Sequence, residues 1–377
     1  MSAVGAHQLA PAAATAACRI HLVTGELVVR VREARRPLDA LCGFAARHNP
    51  RRGFLVVSKL LGRHMPARPA AMREAARDLA ALLPADLPGP VLVVGLAETA
   101  VCLGQLLARE WRRLIGRRDL AFIHSTRVQL AQPVLCRFEE PHSHAAAHLI
   151  YQPAIPMFVP PRSLVLVDDE ISTGTTLGNL AQALVACWPG VETITAATLT
   201  DWADGAWLAR TPRPARTVSL LSGELEWRPS GAPTAPHAHP PIGALGVLPK
   251  HRNRGRLGWI GDDIDIPPLP PGLPDGPLRV IGTGEFSYPP FLLAERLERE
   301  GRDVVVQATS RSPAWIGGAI GHALVFRDNY ETGVPNYLYN AAPANGRESL
   351  ICHETPAGSI DPALIAALDA DTLAWPA

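Results

Sequence analysis

Short aliphatic runs alternate, through the first two hundred residues, with longer stretches whose apolar positions recur at helical spacing. GFLVVSKLLG (53–62) reads as a strand running into a polar turn. PAAMREAARDLAALL (69–83) puts alanine and leucine on one helical face and charge on the other. PVLVVGLAETAVCLGQLLAREW (90–111) gives an aliphatic strand, a glycine-led turn and a helix. SLVLVDDEISTGTTLGNLAQALVACW (163–188) repeats that order, and ETITAATLTD (192–201) adds another strand. Strands that are aliphatic throughout, alternating with helices, predict an α/β fold: a parallel sheet covered by flanking helices. Ligands of such open sheets bind at the carboxyl ends of the strands.

Prolines interrupt this rhythm between about Arg228 and Pro277, in RPSGAPTAPHAHPPIGALGVLPK and IPPLPPGLPDGP. Proline lacks the N–H a ladder needs and fixes its own φ, so 228–277 reads as an extended connector. It divides the 377 residues into a flexible N-terminal segment (1–30), a first body (31–227) and a smaller C-terminal α/β body (278–377). No internal repeat is evident.

Charge narrows the function classes. Lysine plus arginine number 36 against 35 acids, which argues against broad electrostatic binding to nucleic acid or anionic lipid. No helix-turn-helix pattern stands out. Anion recognition should therefore be local. The six cysteines show no CxxC spacing and read as reduced, mostly buried thiols of a cytoplasmic protein. No apolar run reaches the ~20 residues of a membrane span, and the first residues lack the basic region of a signal peptide.

The chemistry concentrates after the strand LVLV. Asp168 and Asp169 fall at its carboxyl end, followed by Ser172, Thr173, Gly174, Thr175 and Thr176 as the next helix opens. A helix start offers unpaired N–H groups and a positive dipole end, a seat for phosphate. Gly174 lets the backbone curl, and the hydroxyls donate without adding charge. The carboxylates suit sugar hydroxyls, or a magnesium ion that the substrate brings with it. Phosphate donors beside diol acceptors describe a site for a ribose 5-phosphate. The plainer alternative is an acidic strand end with a Ser/Thr-rich cap. The missing lysine argues against a P-loop.

LVLVDDEISTGTT (164–176) resembles the phosphoribosyl-pyrophosphate motif of type I phosphoribosyltransferases. Glu170 departs from it, standing where the family usually has an aliphatic residue. The resemblance implies that Asp168 and Asp169 contact the ribose hydroxyls and 172–176 the 5′-phosphate. It implies a pyrophosphate loop as well, which Ala97, Glu98 and Thr99 match in position through backbone contacts, with the Glu98 carboxylate turned outward or toward metal; a plain turn is the alternative. Lys59 and Arg63, in SKLLGRH with His64, would neutralise pyrophosphate, or are a solvated turn. A mobile flap falls on 122–153, which holds Ser125, Thr126, Arg127, His142, His144 and His148. Arg127 would offset pyrophosphate charge. His142 and His144 would recognise base or move protons; a zinc site including His148, and chance exposure, are the alternatives.

In the C-terminal body, LRVIGTGEFSYPPFLLAERLEREGRDVVVQATSRSP (278–313) offers a glycine-rich turn (Gly282, Gly284, Glu285) and the loop Ser310, Arg311, Ser312 as ligand candidates; both are also ordinary turns. Taken together with FLVVSKLLGRHMP and FEEPHSHAAAHLIY, these stretches look like the phosphoribosyltransferase subfamily with a C-terminal TRSP domain, over roughly residues 35–340. Ser310 replaces the threonine of the Thr-Arg-Ser-Pro signature. The subfamily is associated with bacterial tellurite-resistance and stress gene clusters, thought to make a nucleoside-like metabolite. The resemblance implies a magnesium-dependent transfer of ribose 5-phosphate between phosphoribosyl pyrophosphate and a base-like acceptor, and leaves room for a homodimer. A non-catalytic sensor of phosphoribosyl pyrophosphate, cleavage of a nucleotide by pyrophosphate, and an inert scaffold are the rivals.

Overall fold

The computed structural model describes residues 17–47, 49, 52–140, 147–231, 255–259, 261, 264–273, 275–342 and 346–375. In chain order the first body comprises β1 (Cys18–Leu22), β2 (Gly25–Ala34), α1 (Leu38–Leu41), β3 (Cys42–Ala46), β4 (Phe54–Ser58), α2 (Pro69–Ala80), β5 (Val91–Gly95) and α3 (Ala100–Ile115). It continues with β6 (Leu120–His124), β7 (Val134–Glu139), β8 (Ala147–Tyr151), β9 (Ser163–Ile171), α4 (Thr175–Cys187), β10 (Thr193–Asp201) and β11 (Ala215–Pro229).

Seven of these strands form one sheet in the order β1-β2-β11-β10-β9-β5-β6. From β11 to β6 the pairing is parallel, as the strand–helix alternation predicts. β2 and β1 extend the sheet antiparallel, so residues 18–30 are ordered strands and the expectation of a flexible segment up to residue 30 is corrected there. FLVVS is a strand as read, but β4 pairs with β3 in a separate hairpin outside the main sheet. The connector is corrected in part too. Residues 255–259 lie along the free edge of β6, with backbone bonds between Phe122 and Trp259 (2.8 and 2.9 Å) and from His124 N–H to Gly255 O (3.0 Å).

Helix α3 is drawn tightly onto β5. A Cβ on Gly104 would stand 3.1 Å from the Gly95 Cα and 2.8 Å from the Phe122 ring, so a larger residue would lift the helix off the sheet. That contact sets where the turn between β5 and α3 sits. β9, inside the sheet between β10 and β5, is buried from Ser163 to Val167 and again at Ile171, with its acids in between.

The C-terminal strands β12 (Leu278–Gly282), β13 (Val304–Ala308), β14 (Ala323–Arg327), β15 (Pro335–Tyr339), β16 (Glu348–His353) and β17 (Asp371–Ala374) are accompanied by α5 (Tyr288–Arg299) and α6 (Pro362–Leu368). A parallel sheet runs β13-β12-β16-β17, and β14 pairs with β15. The two bodies share one apolar core, in which Phe291 and Leu293 of α5 join Leu79 of α2 and Leu107 of α3. Beside it Glu295 accepts from two Arg109 nitrogens (2.8 and 2.9 Å), with both side chains nearly sealed from water.

Candidate functional site

Strand lengths open the site. β5 ends at Gly95, opposite Val167, and the Leu96 N–H closes the ladder on Val167 O (2.9 Å). β9 continues through Asp168, Asp169 and Glu170 to Ile171, paired only with β10 on that stretch. The acids therefore border a gap left by a shorter neighbour. They sit at the strand's end rather than in the loop. Asp168 accepts the Asp169 N–H (2.9 Å), and Asp169 accepts the Thr99 hydroxyl (2.8 Å), which ties the two βα turns together. Burial, and then the charges of Asp169 and Glu140, raise the Asp168 carboxyl well above its ordinary range. Glu170, the residue that departs from the motif, forms an ion pair with Arg52 at the tip of the β3–β4 hairpin; burial nonetheless raises its pKa.

Gly174 caps α4 in the left-handed region, at φ 69°. A Cβ there would lie 2.1 Å from the Trp207 Cβ, so glycine is demanded twice, by torsion and by space. Thr173 and Thr175 exchange a hydroxyl contact at 3.0 Å, and Arg210 donates to the Thr175 hydroxyl at 2.7 Å. The loop thus presents the N-terminus of a thirteen-residue helix, ringed by hydroxyls and one exposed arginine.

The turn after β5 contains a cis peptide between Ala97 and Glu98. Ala97 N–H donates to the Ser125 hydroxyl (2.9 Å), which also meets His148 Nδ1 (3.0 Å). His148 is buried and lies between Arg127 (3.1 Å) and Glu140 (3.1 Å); burial, then Arg127, lowers its pKa. Glu98 does not turn outward. Its carboxylate is buried and paired with Arg311 of the C-terminal body at 3.1 Å.

One cleft of about 200 Å3 gathers these groups. It is lined by Ala97, Glu98 and Thr99 from the first turn, Asp168, Asp169 and Glu170 from β9, and 172–176 from the helix start. Arg127 and Glu140 close one side. Ser310, Arg311 and Ser312 close another, so this loop of the C-terminal body lies in the first body's cleft.

Other candidates lie elsewhere. Lys59 does not line the cleft and donates to Asp39 O (2.6 Å). Arg63 is corrected from pyrophosphate ligand to strut, with 3% of its side chain exposed. It donates to Glu98 O (2.7 Å), Gly284 O (2.8 Å) and Thr309 O. Thr126 and the Arg127 N–H are both held by Glu285 (2.5 and 2.8 Å), and Ser125 and Thr126 are fully buried behind the cleft wall. Gly282, Gly284 and Glu285 are not among the residues that line this cleft. Glu285 instead faces Arg256 (2.9 Å), whose charge, with that of His124, outweighs burial and holds its carboxyl at about 2. His142 and His144 lie outside the described residues, as does half of the proposed zinc pair. Among the described residues no group of three or more His, Cys, Asp or Glu side chains is arranged to hold a metal. The six cysteines are free; Cys42, Cys102 and Cys352 are buried.

Arg47, Arg52, Arg210 and Arg256 were not foreseen. For Arg47 and Arg52 a signal existed: a basic tip, ARHNPRRG (46–53), between two short apolar runs. Arg256 gave none, standing in a proline-rich stretch where arginine reads as solvated.

Residues 41–224 match the sequence family described as phosphoribosyl transferase, and residues 272–368 match the TRSP domain that lies C-terminal to it. The chain belongs to this family of phosphoribosyl transferases with a C-terminal TRSP domain, and it is an enzyme of the pentosyltransferase class. Its parallel sheet with flanking helices is the α/β architecture that the sequence predicts. Among solved structures, adenine phosphoribosyltransferase from Rhodothermus marinus is 18% identical, with 48% of this chain and 94% of that one covered and a TM-score of 0.31. The Giardia lamblia enzyme complexed with 9-deazaadenine is 18% identical over the same shares, with a TM-score of 0.34. The Trypanosoma brucei enzyme in complex with AMP, pyrophosphate and ribose-5-phosphate is 14% identical, covering 48% and 77%, with a TM-score of 0.34. No curated protein matches the sequence. Among the described residues no helix is long and apolar enough to cross a membrane.

Proposed function

We propose that the enzyme moves a ribose 5-phosphate between phosphoribosyl pyrophosphate and a base-like nitrogen acceptor in the cytoplasm, with Mg2+. The observation that carries this reading is the pairing of Asp168 and Asp169 with the helix-start loop 172–176 in one cleft, beside the turn 96–99 of the adjacent strand. Amides and hydroxyls of 172–176 take the 5′-phosphate, whose charge suits the helix start. Asp168 and Asp169 accept the ribose hydroxyls. The turn 96–99 and Arg127 face the pyrophosphate.

Magnesium fits this donor set in one way. Two carboxylates without a third ligand cannot cage the ion, but they suit one that takes its other oxygens from substrate and water. Asp168 and Asp169 would hold it, and it would offset pyrophosphate charge. Burial and the charges of Asp169 and Glu140 raise the Asp168 pKa, and a bound cation would lower it again.

The C1′–O bond to pyrophosphate breaks and the acceptor nitrogen bonds to C1′. The acceptor's proton leaves with pyrophosphate or to solvent. No protein nucleophile is needed; fixing both phosphates and the diol supplies orientation, and arginines meet the departing charge. Calorimetric titration with phosphoribosyl pyrophosphate in Mg2+, then pyrophosphate release across candidate bases, tests the reading. Binding with release on at least one base is expected. Failure to bind at millimolar donor and Mg2+ would overturn it.

A further inference from the structure

We propose that Arg311 of the TRSP loop and Arg47 of the β3–β4 hairpin form an oxyanion seat spanning both bodies, making the C-terminal domain a working part of the transferase cleft; this rests on the phosphoribosyltransferase reading.

Glu98 poses the problem. It follows the cis peptide in the turn assigned to pyrophosphate, and alone its buried carboxylate would repel an anion. Arg311 answers it, with Nε 3.1 Å from the carboxylate and its own backbone N–H 3.4 Å from the second oxygen. A neutral pair replaces a repulsive charge, and the remaining guanidinium edge belongs to a residue lining the cleft. The loop is built to hold that position. Tyr339 donates to Ser312 O (2.7 Å) and accepts the Ala314 N–H (2.8 Å), while Ser310 accepts the Ser312 N–H (3.1 Å).

Arg47 comes from the other side. Its strand end bridges Ala314, and Ala46 O accepts the Trp315 N–H (3.0 Å), so hairpin and TRSP loop are locked together. Arg47 lines the same cleft, and its Nε has no hydrogen-bond partner among the described residues. Burial, then the charge of Arg52, pushes its pKa down against the pull of Glu140 and Glu170. Beside it His64, 6% exposed, lines the cleft with an unpartnered Nε2. Burial, then Arg63 and Arg47, holds this imidazole at about 3, so it is neutral at pH 7 and able to donate one N–H to an oxyanion. Two arginines and an unpaired imidazole in one cleft fit the pyrophosphate of the donor or a carboxylate on the acceptor.

The test measures binding to the full chain of inorganic pyrophosphate, of phosphoribosyl pyrophosphate, and of orotate or nicotinate with the donor present. R47Q breaks no described pair, and R311Q is read beside E98Q/R311Q, which removes both members of that pair but takes Glu98 from the buried Arg63 at 3.9 Å; thermal denaturation confirms that each is folded. An affinity loss of about tenfold or more for the phosphate probes in R47Q and in E98Q/R311Q supports the seat and assigns it to pyrophosphate. An equal loss confined to the carboxylated bases supports it and assigns it to the acceptor. Unchanged affinity for every probe overturns the seat, as does full recovery in E98Q/R311Q, which would reduce Arg311 to a neutraliser. A wild-type chain that ignores phosphoribosyl pyrophosphate strikes the proposed function instead.

Discussion

Replacing Gly174 by alanine tests the phosphate loop at its tightest point. The residue sits at φ 69° and ψ 9°, where an L side chain costs about 1–2 kcal/mol. The new methyl would also stand 2.1 Å from the Trp207 Cβ and 2.6 Å from its Cγ. Trp207 cannot swing away freely: it is fully buried and its indole N–H donates to the Thr217 hydroxyl at 2.9 Å. Forced overpacking of this kind costs about 1–3 kcal/mol. Together these give a loss of about 2–5 kcal/mol, a large share of a typical domain's stability. If the loop bends to relieve the clash, the amides at the start of α4 move with it, so whatever stability is recovered is lost from phosphate binding. The assay is a urea denaturation midpoint beside a dissociation constant for phosphoribosyl pyrophosphate. Gly190→Ala is the control, because a Cβ at Gly190 meets nothing within 4 Å. Were G174A to shift neither quantity by more than the ~0.5 kcal/mol typical of neutral surface changes, the claim that torsion and Trp207 shape this loop would be refuted.

Asp168→Asn with Asp169→Asn should abolish turnover while circular dichroism and the denaturation midpoint stay near wild type; an unfolded variant would make the acids structural. Thr175→Val removes one hydroxyl from the loop and should weaken donor binding by about 1–3 kcal/mol, read as a dissociation constant. Arg63→Met strands three buried carbonyls from both bodies and should cost about 3–5 kcal/mol in urea denaturation. Acid should weaken the fold early. Burial holds His64 at about 3 and His124 at about 4, below the 6.5 of an unfolded chain, so between those values the unfolded state binds protons that the folded state refuses. Their contribution is whole above pH 6.5 and declines as pH falls, by about 1.4 kcal/mol each at pH 5.5. The buried carboxyls of Asp168 and Glu170, raised by burial, act in the opposite direction, so H64Q and H124Q are each compared with wild type; urea midpoints that change equally between pH 7.5 and 5.5 in all three would contradict this.

The parallel sheet was legible because its strands are aliphatic throughout, a pattern that only burial on both faces explains. The cleft's centre was legible for a related reason: hydroxyls, glycine and paired acids follow such a strand without interruption. What escaped were contacts between distant parts of the chain. Glu285 reads as part of a glycine-rich ligand turn, yet it holds Thr126 and Arg127 from 158 residues or more away. Arg63 reads as a cation facing solvent or phosphate, and instead bonds main-chain oxygens of both bodies. An arginine's sequence neighbours carry no record of which distant carbonyls surround it. β1 carried a signal that went unread: CRIHL alternates apolar and polar residues at all five positions, the period of a half-exposed edge strand.

The rule that ligands gather at the carboxyl ends of parallel strands applies twice in this molecule. β5 and β9 end in the turns carrying 96–99 and 168–176. β13, in the other sheet, ends at Ala308 and delivers Ser310, Arg311 and Ser312 into the same cleft. The carboxyl edges of two sheets thus meet across a single opening, and the polar groups of each find partners on the other: Glu98 with Arg311, Glu98 O with Arg63, Thr126 with Glu285. Because both bodies share one apolar core, these pairings join walls that are already packed together. The C-terminal body is therefore a wall of the site.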